Sequence, residues 1–281
     1  MTSGYESTFS YESQGAHLGF WEFGAGMPVV FLHPTPLDHE FWRPLSQELA
    51  GVRAIVPDLR GHGGSELGED LPVGGFGRVP DAPVLTMNKL AADAVALLDY
   101  LEVPEAVFAG CSVGGYVQLE LWRMAAKRVK ALAFVCSKPQ PDAEVNLEGR
   151  AATIAKVRSE GTGSFFDSQA QSLTGKTARE RRPEIVAELR ARMTLTPQAV
   201  VAVQAGLATR PDSVPTVATI DVPVLAIAGG EDSGAAPEKM EAFQDAPGGC
   251  EYHLIPDAGH FAAYEQPAKV AALLADWLRA I

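Results

Sequence analysis

Residues 106–115 read AVFAGCSVGG, an apolar run that leads directly into a serine between small residues. A helical pattern follows over residues 115–127. In this strand-turn-helix setting Gly110, Ser112 and Gly114 match a nucleophile elbow, a strained turn that raises a serine hydroxyl above the edge of a sheet. We expect a Cβ at either glycine to collide with neighbouring backbone. The motif alone is common, and an ordinary strand-to-helix turn is the alternative interpretation.

Similar apolar runs alternate with helical segments along the chain, a pattern typical of a mostly parallel sheet with helices on both faces. The predicted strands are residues 28–33, 53–56, 106–111, 131–136, 222–228 and 251–255, with an antiparallel edge hairpin at 8–11 and 18–23. The predicted helices are residues 42–49, 86–101, 115–127, 237–243 and 267–280. Residues 138–215 have helical segments without a convincing strand, which predicts a helical cap inserted into a core domain of residues 1–137 and 216–281.

Two further side chains could activate Ser112. A hydroxyl nucleophile needs a general base, and the base needs a carboxylate that orients it. Asp232 follows the predicted strand 222–228, and His260 follows 251–255, so the order along the chain is serine, acid, histidine. Glu231 could replace Asp232 as the acid, and Asp257 could form a turn beside His260. We favour Asp232 because of its position just past the strand end.

The oxyanion of such a reaction would need backbone N–H donors. The helix that follows Ser112 offers unpaired N–H groups at its N-terminus, beginning with Val113. After the strand 28–33 the chain reads Pro34-Thr35-Pro36, and proline has no N–H. The N–H groups of Thr35 and Val113 are therefore the predicted oxyanion hole. We interpret His33 as a bridge between loops.

The sequence is less specific about the substrate. Candidate apolar walls of a binding site are Phe41, Trp42, Phe165, Phe166 and Phe261, although core packing explains each of them equally well. The Gly- and Pro-rich connection 66–85 is long enough to be functional or disordered, and could shape the rim of the site.

Charge and cysteine content exclude several function classes. Lys and Arg number 23 against 35 Asp and Glu, a net charge of -12, which disfavours nucleic-acid and anionic-membrane partners. Within residues 138–215 the balance is 11 against 9, which we interpret as a solvated surface with pairs such as Glu188 with Arg192 rather than as substrate steering. The three cysteines are widely spaced, without a metal-ligand pattern, and fit a reducing, cytoplasmic location. The beginning of the chain lacks a signal-peptide pattern, and no apolar run approaches a membrane span.

Five segments together resemble the α/β-hydrolase superfamily: FLHPTPLDHEFW, PDLRGHGGS, GCSVGG, VLAIAGGED and DAGHFAAYEQP. The segments EGRAATIAKVRSEG and GLATRPDS are similar, more weakly, to its carboxylesterase and 3-oxoadipate enol-lactonase-like branch. The resemblance implies a triad of Ser112, His260 and Asp232 beneath the cap, and neither a metal nor an organic cofactor. Two features depart from the family pattern, namely His33-Pro34 where His-Gly is usual and the length of the 66–85 connection.

We therefore expect a serine hydrolase that cleaves a small or medium carboxylic ester or lactone through an acyl-enzyme. The same triad could instead hydrolyse carbon–carbon bonds or serve a cofactor-free perhydrolase or lyase. The alternative outside the enzymes is a ligand-binding receptor that retains the triad but turns its ligand over slowly. The sequence does not indicate an oligomeric state.

Overall fold

The computed structural model of the chain describes residues 9–281, so Thr8, the first residue of the predicted hairpin, lies outside the described residues. In this range the strands form one sheet of order β1-β2-β4-β3-β5-β6-β7-β8. The strands are β1 Phe9–Ser13, β2 Ala16–Gly24, β3 Met27–Leu32, β4 Val52–Pro57, β5 Ala106–Cys111, β6 Val129–Val135, β7 Val224–Gly229 and β8 Cys250–Ile255. The β2 strand pairs antiparallel with β1 and β4, and the other pairs are parallel.

Helices cover both faces of this sheet. The α-helices are α1 Arg43–Ser46, α2 Met87–Tyr100, α3 Val113–Ala125, α4 Glu144–Glu160, α5 Gly163–Leu173, α6 Lys176–Arg181, α7 Pro183–Arg192, α8 Pro197–Ala208, α9 Val214–Val217, α10 Pro237–Met240, α11 Ala262–Glu265 and α12 Pro267–Ala280. Short 3₁₀ turns cover His39–Trp42, Ala126–Arg128 and Glu241–Asp245. The predicted fold class is confirmed, and each predicted strand agrees with an observed one to within two residues at either end.

The predicted helix over residues 42–49 is wrong in its extent. The structure has a 3₁₀ turn that ends at Trp42 and a single α-helical turn, α1, over Arg43–Ser46. Pro44 lies in the first turn, where proline is tolerated, so it does not end the helix. After Ser46 the N–H groups of Glu48 and Leu49 bond to the carbonyls three residues earlier, as in a 3₁₀ turn. In the same way the predicted helix 237–243 is α10 followed by a 3₁₀ turn.

The strand order places a crevice at the carboxyl ends of β3 and β5. These strands are neighbours, but the chain leaves β3 for β4 on one side and returns to β5 on the other. Ligands of open α/β sheets bind at such a reversal of strand order. Ser112 follows β5 directly, and Thr35 lies three residues beyond β3. Because β7 and β8 run parallel to β5, the segments with Asp232 and His260 emerge at the same edge.

Helices α4 to α8 lie between β6 and β7 and carry most of the predicted cap. Their buried apolar side chains, such as Ile154 and Leu189, belong to the same hydrophobic cluster as one face of the sheet. The predicted end of the cap at residue 215 falls inside α9. Glu188 accepts a hydrogen bond from the Tyr264 hydroxyl, so this cap residue contacts the core.

The connection 66–85 packs against the cap. Val79, Ala82 and Val84 are buried in the cluster just described. The Leu85 N–H donates to the Ala202 carbonyl at 3.0 Å, which attaches the end of the connection to α8. None of residues 66–85 lines the cavity described below, so the connection supports the cap helices rather than forming a wall of the site. Of the helices in residues 9–281, none is long and apolar enough to cross a membrane.

Candidate active site

Ser112 occupies a strained turn between β5 and α3. Its φ of 52° and ψ of -111° lie outside the regions that non-glycine residues prefer, at a cost of order 1–3 kcal/mol. The Ser112 N–H donates to the Val135 carbonyl at 3.2 Å, and the Ser137 hydroxyl donates to the Ser112 carbonyl at 2.9 Å. Contacts from the neighbouring strand β6 and the loop after it therefore hold the turn in place.

Two glycines allow this turn to form. A Cβ on Gly114 would lie 2.2 Å from the carbonyl oxygen of Leu32, at the end of β3. A Cβ on Gly110 would lie 2.5 Å from the carbonyl carbon of Gly114. The N-terminus of α3 thus packs directly onto the ends of β3 and β5, and the collision expected from the sequence is present at both positions.

Asp232 and His260 form a buried pair. His260 Nδ1 lies 2.8 Å from Asp232 Oδ2 and 2.9 Å from Oδ1. Oδ1 also accepts the N–H groups of Gly234 at 2.6 Å and Ala235 at 2.9 Å. Burial raises the pKa of Asp232, but the charge of His260 and these hydrogen bonds outweigh it, so the pKa lies below its ordinary value. Asp232 is therefore ionised at neutral pH.

The two alternative acids lie elsewhere. Glu231 accepts hydrogen bonds from the N–H and the hydroxyl of Thr177, at 2.7 and 2.6 Å, and so holds the cap to the core. Asp257 pairs with Lys269 at 2.8 Å. Among the three acids considered, the structure brings only Asp232 to His260.

Ser112, His260 and Thr35 line one cavity of about 340 Å³ at the carboxyl edge of the sheet. Within residues 9–281 the Ser112 hydroxyl makes no hydrogen bond to His260. Catalytic hydrogen bonds are often long before substrate binds and tighten in the complex. The shared cavity places the hydroxyl and the imidazole where one substrate can contact both.

Of the two predicted oxyanion donors, Thr35 lines this cavity, and Val113 directly follows Ser112, which lines it as well. Neither the Thr35 N–H nor the Val113 N–H has a hydrogen-bond partner in the described chain. Val113 is the first residue of α3, where the helix dipole favours negative charge. His62 Nδ1 lies 3.0 Å from the Arg60 carbonyl, which assigns its proton to Nδ1 and leaves Nε2 to accept the Thr35 hydroxyl at 2.9 Å. The hydrogen bond from the Thr35 hydroxyl to His62 therefore fixes the side chain of the residue whose backbone N–H is the predicted donor.

His33 bridges two loops, as expected from the sequence. Its Nε2 accepts the Leu59 N–H at 2.9 Å, and its Nδ1 lies 3.1 Å from the Pro34 carbonyl. Both contacts require a neutral ring with the proton on Nδ1. Burial is the main cause that lowers the pKa of His33 to about 3, and the nearby His62 adds to it.

We predict that His33 makes stability fall with acid. Its pKa is about 3 in the folded chain, and about 6.5 in an unfolded chain. Between these two pKa values His33 is protonated in the unfolded state but not in the folded state. The contribution of the neutral His33 to stability is therefore complete above about pH 6.5 and is lost as the pH falls toward about 3. The slope is roughly 1 kcal/mol per pH unit for one such group. Urea unfolding at several pH values between about 7 and 5 gives the free energy of unfolding as a function of pH. This free energy should fall less steeply with decreasing pH in His33→Gln than in wild type, and an equal pH dependence would contradict the assignment.

The predicted aromatic walls are mostly wrong. Phe165 lines the cavity, whereas Phe41, Trp42 and Phe261 are fully buried in the core. Phe41 stands edge-on to Phe261 with ring centroids 6.0 Å apart. Phe166 packs beneath the Arg190 guanidinium, with Arg190 Cζ 5.4 Å from the ring centroid, and does not line the cavity. An aromatic residue near a strand end can face the core or the cavity, and sequence pattern does not distinguish the two.

The sequence analysis missed the polar side of the cavity. Its lining includes polar and charged side chains from several elements, namely Tyr116, Lys138, Asp142, Asn146, Arg150, Gln169, Gln204 and Ser233. The one available signal is the excess of basic residues in 138–215, which we interpreted as solvated surface. Two of those basic residues, Lys138 and Arg150, line the cavity.

A buried carboxyl group, also missed, holds the His260 loop. Glu265 is fully buried and accepts the N–H groups of Gly175 at 3.1 Å and Gly259 at 3.0 Å. Burial raises the pKa of Glu265 above its ordinary value. The His260 N–H donates to the Leu173 carbonyl at 2.8 Å, so this loop is fixed to the last residue of the cap helix α5. Residues 9–281 contain no group of three or more His, Cys, Asp or Glu side chains that could hold a metal ion.

Comparisons with known proteins identify the family of this chain. The model of the alpha/beta hydrolase family matches residues 29–273. A 3-oxoadipate enol-lactonase from Acinetobacter baylyi is 25% identical over 263 residues, which cover 90% of this chain and 89% of the relative.

Solved structures give a similar result. A thermophilic esterase from Thermogutta terrifontis, solved with malate bound, is 31% identical with a TM-score of 0.85, and the match covers 97% of each chain. The enol-lactonase of Burkholderia xenovorans has a TM-score of 0.84 over 96% of this chain and 99% of that one; at 24% identity this likeness concerns the fold alone. With the family model matched from β3 into α12, on the expected sheet, the chain belongs to the alpha/beta hydrolase family.

Proposed function

We propose that this chain is a serine esterase or lactonase, which hydrolyses small or medium carboxylic esters or lactones through an acyl-enzyme on Ser112. One observation carries the proposal: a strained serine and a histidine paired with Asp232 line the same small cavity. The similarity to an esterase and to an enol-lactonase supports the same class of reaction. The volume of about 340 Å³ is at the small end of ligand sites and suits a small or medium acyl group.

The proposed reaction uses His260 as base and then as acid. Because Asp232 accepts the proton on Nδ1, His260 Nε2 is free to take the proton of the Ser112 hydroxyl as Oγ attacks the carbonyl carbon. The carbonyl oxygen becomes negative and accepts the N–H groups of Thr35 and Val113. His260 then gives its proton to the leaving alkoxide as the carbon–oxygen bond breaks.

Water completes the cycle. It attacks the acyl-enzyme while His260 takes one of its protons, and that proton passes to Ser112 Oγ as the acyl bond breaks. The products are the carboxylic acid and the free serine. No group outside this chain other than water and the ester is needed.

A covalent probe tests this proposal. We expect wild-type protein to hydrolyse p-nitrophenyl acetate repeatedly, and a fluorophosphonate to abolish turnover by adding one phosphonyl group per chain. Peptide mass mapping should locate that group on Ser112. Modification of another residue would contradict the proposal, as would a folded protein that binds esters without turnover, which would instead favour a receptor.

A further inference from the structure

Part of the cavity lining carries an excess of positive charge. Lys138, which follows β6, and Arg150, on α4, line it together with one carboxylate, Asp142. Arg210 lies behind this wall, with its guanidinium 4.2 Å from the centroid of the Tyr116 ring. These three cations lie beside two carboxylates, Asp142 and the Asp232 that pairs with His260, so the local charge is +1 in a chain whose total is -12.

Asp142 is shared between the two arginines. Its Oδ1 accepts Arg210 Nη2 at 2.9 Å, and its Oδ2 accepts Arg150 Nε. Arg150 Nη1 donates to Gln204 Oε1 at 2.9 Å, while Nη2 has no hydrogen-bond partner within residues 9–281. A single carboxylate thus neutralises one guanidinium at most, and Arg150, which lines the cavity, retains donors without a partner in residues 9–281.

Lys138 forms no ion pair within hydrogen-bonding distance of a carboxylate in residues 9–281, although Asp142 and Asp232 lie near it. Its Nζ donates to the Gly234 carbonyl at 3.1 Å, which leaves two of its three N–H groups available. Burial, followed by the charge of Arg210, lowers the pKa of Lys138 below its ordinary value. Burial and the two guanidinium groups outweigh the nearby carboxylates of Asp142 and Asp232 in lowering this pKa, so a bound anion would stabilise the half-buried ammonium.

This positive wall lies close to the candidate catalytic residues. Gly234, which accepts from Lys138, also donates its N–H to Asp232 Oδ1. Lys138 follows Ser137, whose hydroxyl binds the carbonyl of Ser112. An anion between Lys138 and Arg150 would therefore belong to the same small molecule as the reacting carbonyl.

We propose that Lys138 and Arg150, supported by Arg210, form a subsite for a free carboxylate on the substrate, so that this chain prefers esters or lactones of short dicarboxylic acids to neutral ones. The proposal rests on the proposed esterase function. Ammonium and guanidinium groups bind carboxylates through charge-assisted hydrogen bonds, which are stronger than neutral ones, and a partly enclosed cavity strengthens them further.

Paired substrates of the same acid test this subsite. Monoethyl glutarate carries a free carboxylate, whereas diethyl glutarate has a neutral ester in its place, and a pH-stat measures hydrolysis of both. We expect wild type to have at least a roughly tenfold higher kcat/KM for the half ester. Lys138→Gln and Arg150→Gln should each raise KM for the half ester by about 10–100-fold, and so reduce or abolish the preference for the half ester over the diester.

Arg158→Gln is the matched control. Arg158 lies on the same helix, α4, but it pairs with Asp81 and does not line the cavity. This variant removes the same charge from the chain and should leave both substrates unchanged. An equal loss for half ester and diester, or the same effect from Arg158→Gln, would overturn the subsite.

Calorimetry separates failure of the subsite from failure of the esterase proposal. Glutarate itself cannot be hydrolysed, and we expect Ser112→Ala to bind it about 10–100-fold more tightly than Ser112→Ala with Arg150→Gln. If glutarate binds in this way but no ester is turned over, the subsite stands and the esterase function is wrong. If diethyl glutarate is hydrolysed as well as the half ester and Arg150→Gln leaves glutarate binding unchanged, the esterase function stands and the subsite is wrong.

Discussion

Ser112→Ala should lower kcat for p-nitrophenyl acetate by roughly 10⁴–10⁶ while leaving the fold intact. The hydroxyl is the proposed nucleophile, and the variant removes only one atom from a side chain that is 8% exposed. The backbone bonds from Ser112 N–H to Val135 and from Ser137 to the Ser112 carbonyl do not involve that hydroxyl. The strained turn should therefore survive, and the free energy of unfolding should change little.

His260→Ala should have an effect of similar size, and the double variant should be little worse than either single one, because the groups of a triad act as a unit. Ser159→Ala is a suitable control, since Ser159 lies on the exposed side of α4 and its hydroxyl bonds only to helix carbonyls. Losses that multiply in the double variant would show that Ser112 and His260 act independently. Retention of most activity in Ser112→Ala would remove the serine from the mechanism.

Sequence pattern predicted the scaffold of this site well because its determinants are local. The apolar run 106–111, with Gly110 inside it and Gly114 after it, favours a strand that ends in a tight turn, and the structure has β5 over Ala106–Cys111. The edge hairpin and the parallel strands follow from similar runs. Prediction was poorer over residues 42–49, where 3₁₀-type turns flank a single α-helical turn and the apolar spacing does not distinguish them from a continuous helix.

The cavity wall could not be predicted because it depends on which face of each cap helix points inward. Phe165 and Phe166 are adjacent in sequence, yet only Phe165 lines the cavity. Arg150 and Arg158 share α4, yet only Arg150 does. The net charge of residues 138–215 is the same whichever face of each cap helix points toward the cavity, so it does not identify the lining residues. Packing of the cap on the sheet decides which of these side chains a substrate meets.

Asp232→Asn should lower kcat by about 10⁴ through a change of tautomer in His260. In wild type Asp232 Oδ1 accepts the N–H groups of Gly234 and Ala235, and both carboxylate oxygens accept from His260 Nδ1. An asparagine that keeps its oxygen toward the two backbone donors must turn its NH₂ group toward Nδ1. Two donors cannot face each other, so the imidazole proton moves to Nε2.

A ring protonated at Nε2 cannot accept the Ser112 proton, so the chemical step fails although the packing of the site is retained. ¹⁵N spectra of labelled histidine should show the proton of His260 on Nδ1 in wild type and on Nε2 in Asp232→Asn, a change that a merely structural role would not produce. Asp257→Asn is the matched control, because Asp257 is the acid three residues before His260 and pairs with Lys269 instead. If Asp257→Asn reduced kcat as strongly, or if Asp232→Asn left the tautomer unchanged, the orienting role of Asp232 would be wrong.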